Sequence, residues 1–161
     1  MTRRLKIDLH IHTKEDPKDF DVAEYSAKEI IKEAAKQGYD AISITNHDKL
    51  TYTKRLDDFA KKNGVLLIPG VEANIEGCDV LIYNLKKFSK INSFDELREL
   101  RKTDKNILII APHPFFILKS IGLRIFRNID LFDALELCNF YSRFLNFNIP
   151  AEITAKIYNL P

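Results

Sequence analysis

Short apolar runs alternate with amphipathic helical segments along the whole chain, and this alternation limits the fold more than any other feature of the sequence. Leu5-Lys6-Ile7-Asp8-Leu9 has the two-residue alternation of a strand. A helix is predicted over 22–37, with Val22, Ala23, Ala27, Ile30, Ile31, Ala34 and Ala35 on its apolar face and Gly38 ending it. A strand over 40–45 and a helix over 51–62 follow, the helix closing at Asn63-Gly64. Val65-Leu66-Leu67-Ile68-Pro69-Gly70 is continuously apolar, as in a strand covered on both faces, and leads into 71–75. A strand over 79–85 and a helix N-capped by Ser93, with Phe94, Leu97 and Leu100 inside it, come next. The run over 106–111 predicts another strand, 115–131 a weakly specified helical stretch, 132–137 a sixth strand, and Pro150 the start of a last helix over 151–158. Alternating β and α units imply a parallel sheet, and functional residues at strand ends suit a barrel-like closure. An eight-unit barrel takes about 250 residues, so a chain of 161 is short for one.

Composition narrows the class. With 45% hydrophobic and 30% charged residues, the chain is globular and long enough for one domain with a sizeable core. Twenty-five Lys+Arg against 23 Asp+Glu leave a net charge of +2, too balanced to favour nucleic acid as a partner. No apolar run reaches the roughly 20 residues that span a bilayer. Cys78 and Cys138 lack metal-type spacing, and they read as reduced thiols of a soluble, cytoplasmic protein.

The chemistry collects at the strand ends. His10 and His12 are two apart at the end of the first strand, so both imidazoles project from one face. His47 and His113 also follow predicted strands, so all four histidines fall in three β-α units at positions that converge in a barrel. Glu72, just past Pro69-Gly70, adds a carboxylate suited to bridging two ions. Imidazoles with carboxylates point to Zn, Mn or Fe; Ca and Mg prefer oxygen shells.

In order along the chain, Asp8-Leu9-His10-Ile11-His12-Thr13, Ile44-Thr45-Asn46-His47-Asp48, Pro69-Gly70-Val71-Glu72 and Ala111-Pro112-His113-Pro114 resemble the successive motifs of the PHP domain. This is the polymerase and histidinol phosphatase family of metal-dependent phosphoesterases on a distorted seven-stranded β/α, TIM-like barrel. Glu136-Leu137-Cys138-Asn139 is similar to the family's later strand ending in Asn. The resemblance implies that His10 and His12 bind one metal and that Glu72 bridges it to a second ion held by His113. Glu72 and His113 would then be the catalytic pair. His47 would hold a third ion with an acid a few positions past His12, Asp16 ahead of Asp19. Asp8 would orient a histidine through its other ring nitrogen, Asn46 and Asp48 would flank His47, and Asp79 reads as a surface acid, the alternative being that it replaces a ligand the family often places on the following strand. Asn46 stands where the family usually has Asp. The family also ends on a seventh strand carrying a Ser-Asp-Ala-His-like motif. Asn159-Leu160-Pro161 reads as the approach to that strand, so the barrel is expected to be incomplete at its C-terminal end. Its open edges would be covered by the terminal helix or pair in a homo-oligomer.

The implied reaction is hydrolysis of a phosphate ester of a small metabolite or nucleotide by a metal-bound hydroxide. Lys119, Arg124, Arg127 and Arg143 are candidates for a distal phosphate contact. The alternative is a non-catalytic barrel serving a nucleic-acid-processing or protein assembly, since barrels related to the family occur in a protein subunit of ribonuclease P.

Overall fold

Strands β1 (Ile7–Ile11), β2 (Ala41–Ile44) and β3 (Leu66–Ile75) pair in parallel and in sequence order in a computed structural model of the chain. The structure describes residues 4–139, 141 and 146–161. It is mixed α/β and divides into two units, Met1–Glu72 with Tyr83–Ser89, and Ala73–Ile82 with Lys90–Pro161.

In the first unit, helices α1 (Ala27–Lys36) and α2 (Lys54–Lys62) supply the crossovers. The core joins Ala27, Ile31 and Ala34 of α1 to Ile42 and Ile44 of β2, Leu56 and Ala60 of α2, and Val65 and Leu67. The α1 helix begins five residues later than the apolar pattern predicts. Ser26 and Glu29 form a reciprocal capping box that satisfies the first free amides, and Val22 is left exposed. Thr53 caps α2 through Leu56 N. Gly38 and Gly64 take the left-handed backbone expected just past these helices, with φ of 72° and 76°.

The interior of this unit is tight at Gly70. A Cβ built there would lie 2.2 Å from Ser43 Oγ, 3.0 Å from Tyr83 Cδ1 and 3.1 Å from Thr45 Cγ2. Those neighbours are themselves fixed, because Ser43 Oγ donates to Ile68 O and the Tyr83 hydroxyl to Leu9 O, each at 3.0 Å. Gly70→Ala is therefore expected to lower the unfolding free energy by about 1–3 kcal/mol. An unchanged urea midpoint would show that the strands separate freely at this point.

The second unit opens with a hairpin. Glu76 and Gly77 have φ of 50° and 80°, the two successive positive values of a type I′ turn, and they lead from β3 directly into β4 (Cys78–Tyr83). No helix intervenes, in line with the two successive strands read over 71–75 and 79–85. Ser93 caps α3 (Phe94–Thr103) as predicted, and β5 (Leu108–Ala111) pairs in parallel with β6 (Ala134–Leu135). The helical reading of 115–131 holds only in part. Lys119 and Gly122 both have φ of 54°, and the stretch condenses into 3₁₀ turns at Gly122–Arg124 and Ile129–Leu131 around the single turn of α4 (Ile125–Asn128). The last helix, α5 (Asn148–Tyr158), starts earlier than Pro150. The Asn148 side chain bonds both Cys138 N and Cys138 O, at 2.6 and 3.0 Å. Beyond it the chain returns to β6, where Leu135 N donates to Pro161 O at 3.1 Å. Six strands are present among the described residues, without a seventh. No helix among these residues is long and apolar enough to cross a membrane.

Arg101 clamps α3 to the start of β6. Both of its terminal nitrogens reach the Asp133 carboxylate, one at 2.7 Å, and Asp133 also accepts the Ile109 amide of β5 at 2.8 Å. Burial would raise the Asp133 carboxyl, but the hydrogen bond from Arg101 outweighs it and the pKa is lowered. A carboxyl lowered in the folded state stabilises the fold above its unfolded value near 3.9 and loses that contribution as pH falls through the folded value. Asp133→Ala is expected to cost about 1–3 kcal/mol at pH 7, with the gap between variant and parent narrowing as pH falls through the lowered folded-state value. A gap independent of pH would contradict the ion pair.

Candidate metal centre

The first unit builds a cluster of imidazoles and carboxylates at the C-terminal ends of its three strands. Between Asp8 and Ile11 the β1–β2 register shifts, so that β1 advances three residues while β2 advances from Ile42 to Ile44. The extra residue falls in the segment that holds His10, and bulges commonly re-aim side chains. The His10 amide donates to Asp8 Oδ1 at 3.2 Å. Asp8 thus supports the irregular backbone at His10. His10 and His12 do share a face, their ring centroids 5.2 Å apart, and His12 stacks on His47 at 4.6 Å.

His47 reaches the cluster because the chain after β2 keeps following β3. His47 and Glu72 form a parallel bridge, and Asp48 N donates to Glu72 O at 2.9 Å. Asp48 has φ of 50° and its carboxylate meets Lys18 Nζ at 3.3 Å. Asn46, fully buried, ties the two loops together. Its Oδ1 accepts from Thr13 N and Oγ1, and its Nδ2 donates to Thr13 Oγ1 and Thr51 Oγ1, both at 2.8 Å.

Glu72 Oε2 lies at the centre, 3.4 Å from His10 Nε2, 3.1 Å from His12 Nε2 and 3.2 Å from His47 Nε2. The Glu72 side chain is 3% exposed, whereas those of His10 and His12 are 18% and 22% exposed, so solvent reaches the cluster from their side. On the far edge of the rings stands Asp16, 2.8 Å from His12 Nδ1 and 3.1 Å from His47 Nδ1 through Oδ2. Asp19 is more distant, its Oδ2 3.9 Å from His12 Nδ1 and 3.7 Å from His47 Nδ1.

Electrostatics follow from this packing. Burial alone would raise the Glu72 carboxyl, but hydrogen bonds and charge from His10 and His12 hold it well below the usual range. Asp16 is likewise held low, burial being outweighed by hydrogen bonds from His12 and the amides of Lys18, His47 and Asp19. His12 is pulled towards neutrality by burial and more strongly towards its charged form by Glu72 and Asp16, so its pKa is raised. Two buried anions gripping shared imidazoles form a site that favours positive charge.

Within the first unit, two groups have donor atoms that lie within 4.8 Å of one another, His10 with His12 and Glu72, and His12 with Asp16, Asp19 and His47. Their nitrogen and oxygen donors fit a divalent transition metal. The remaining candidates lie in the second unit. His113 follows β5 with φ of 32° and places its ring edge-on to Phe116 at 6.1 Å. Asp79 is buried, not at the surface, and accepts from Asn74 Nδ2 at 2.9 Å. Lys119 and Arg127 are exposed, and Arg124 donates to Glu76 O at 3.0 Å and to Cys78 Sγ beside the hairpin turn. Arg143 lies outside the described residues. The sequence reading missed Thr13 and Thr51, whose hydroxyls share Asn46. Their signal is faint, since Thr is common in loops.

A strand-end cluster of this kind on an α/β framework has the donor set that a divalent metal site requires. The PHP domain family model matches residues 8–141, and the chain belongs to that family. It is 34% identical over 150 residues to the uncharacterized protein MJ1587 of Methanocaldococcus jannaschii, covering 86% of this chain and 84% of that protein. It is also 39% identical over 80 residues to a PolC-type DNA polymerase III of Lactococcus lactis, and 36% identical over 83 residues to that of Latilactobacillus sakei. These matches take in 49% and 50% of this chain but 5% and 6% of the polymerases.

Protein purified without chelator is expected to carry transition metal, and joint replacement of His10 and His12 by Ala to remove most of it. Elemental analysis showing equal metal in both forms would contradict the site.

Proposed function

We propose that this protein is a metal-dependent phosphoesterase hydrolysing a phosphate ester of a small metabolite or nucleotide. The observation that carries the reading is the convergence of three imidazole Nε2 atoms on one buried carboxylate oxygen, Glu72 Oε2. In this reading His10, His12 and Glu72 hold one divalent ion of Zn, Mn or Fe. The family resemblance implies His113 as a further metal ligand, and His47 with an acid of the 13–21 loop would serve another ion. When bound, such ions acidify a water to near neutrality and neutralise charge on phosphoryl oxygens.

The chain's own residues have distinct tasks. Glu72, kept ionised, supplies a negative oxygen between cationic neighbours. The partly exposed rings of His10 and His12 leave the approach for substrate. Asn46 holds the two ligand-bearing loops in register. Lys119, Arg127 and Arg143 are proposed for a distal phosphate contact, while Arg124 is already engaged at the hairpin. The strands are read as part of the family's seven-stranded barrel, in a cytoplasmic enzyme.

Similarity to PolC-type polymerases over about half the chain favours a second reading, a module of a nucleic-acid-processing assembly. Assays of aryl phosphate and mononucleotide hydrolysis with Mn or Zn, beside DNA and RNA binding titrations, separate the two. The enzyme reading expects metal-dependent turnover that Glu72→Gln lowers by about a hundredfold or more, with the folded state retained by circular dichroism. Nucleic-acid binding without hydrolysis, or turnover unchanged in Glu72→Gln, would overturn it.

A further inference from the structure

His12 and His47 each lie between two carboxylates. Their Nε2 atoms face Glu72 and their Nδ1 atoms face Asp16. A metal can replace the carboxylate on only one side of each ring, and the two sides are not equivalent. Glu72 Oε2 is the point where three Nε2 atoms meet, two of them on partly exposed rings.

Asp16 is held differently. Its Oδ1 accepts the amides of Lys18 at 2.7 Å and Asp19 at 3.1 Å. Its Oδ2 accepts the His47 amide at 2.7 Å and His12 Nδ1 at 2.8 Å, with His47 Nδ1 at 3.1 Å. An ionised carboxylate offers about four lone-pair sites, and all of them are used. The side chain is wholly buried and its backbone is tied in turn, Asp16 N donating to Thr13 O at 2.8 Å. To bind an ion, Asp16 would have to release amide donors that hold the 13–21 loop against the segment after β2, among them the buried His47 amide. An acceptor-only group in that position demands a hydrogen on each facing Nδ1, so a cation can displace only the hydrogen that each Nε2 turns to Glu72.

We propose that Asp16 is a positioning residue rather than a metal ligand, one carboxylate that fixes both His12 and His47 as Nδ1–H forms and presents their two Nε2 atoms to metal. The proposal rests on the metal-site reading above and assigns which ring atoms that site uses. One acid thereby sets the tautomer of two histidines from different strands, and its two loop amides couple that choice to the path of the 13–21 segment. Asp19 differs in kind. Its carboxylate is 39% exposed and stands beyond direct hydrogen-bond range of both rings, on the same Nδ1 side as Asp16.

The test is imidazole NMR of the full chain loaded with NMR-active cadmium. Coupling from the metal reaches both ring carbon-bound hydrogens when Nε2 binds, but only the one between the nitrogens when Nδ1 binds. Coupling through Nε2 of His12 and His47, with a protected Nδ1 hydrogen on each, is the expected result. Coupling through Nδ1 of either ring overturns the assignment while leaving the metal site standing. A protein that takes up no cadmium removes the metal-site reading and the proposal with it. In a second measurement, Asp16→Asn is expected to keep the number of ions per chain and to weaken zinc binding by about 10- to 100-fold. Loss of a whole ion from the folded variant would make Asp16 a ligand and overturn the proposal. Should Asp16→Asn not fold, the cadmium spectrum of the parent protein decides alone.

Discussion

The first unit depends on one interaction, the grip of three imidazoles on the Glu72 carboxylate. A buried anion is costly unless it is paired and hydrogen-bonded. Glu72 reaches the interior because His10, His12 and His47 arrive there from two other strand ends, at 3.1–3.4 Å. The strand pairing makes that arrival unavoidable. β2 lies between β1 and β3, and the His47–Glu72 bridge prolongs the β2–β3 ladder past the end of β2. The register shift before Ile11 falls at His10, whose ring meets the same carboxylate. What the fold spends in burying the acid becomes the property a cation site requires.

Around this centre, loops are fixed by side-chain amides and carboxylates instead of by further apolar packing. Asn46 joins Thr13 to Thr51, Asp16 joins the 13–21 loop to His47, and the Lys49 ammonium reaches Glu15 O. Glu15 in turn accepts the Ala27 amide at the start of α1, and Lys14 N donates to Tyr25 O at 2.9 Å. Such networks are directional, so they hold ring orientations that a hydrophobic contact would leave free. An Asn at position 46, where the family usually has Asp, suits this role. The position needs two donors and an acceptor at once, and a carboxylate lacks the donors.

Much of this was legible in the sequence, because periodicity and residue type are local signals. The alternation of strands and helices, the glycine stops at Gly38 and Gly64, the Ser93 cap, and the common face of His10 and His12 all follow from a few adjacent residues. The capping box at Ser26 and Glu29 and the turn at Glu76-Gly77 were equally local. Their signatures, Ser-x-x-Glu and a residue followed by Gly between two alternating runs, sit within longer apolar patterns that mask them. Other features depend on distant partners and left no local trace. Asp16 is one of several acids in its loop, and only the fold shows that both its oxygens are saturated by amides and rings. The 115–131 stretch carries helical spacing, yet positive φ at Lys119 and Gly122 breaks it into single turns.

Anomalous diffraction from crystals grown with Zn or Mn tests the central claim most directly. The account predicts a peak bonded to Nε2 of His10, Nε2 of His12 and the Glu72 carboxylate, at about 2.0–2.2 Å. Glu72 still accepting hydrogen bonds from all three imidazoles in the presence of excess metal, with no peak beside it, would contradict the account.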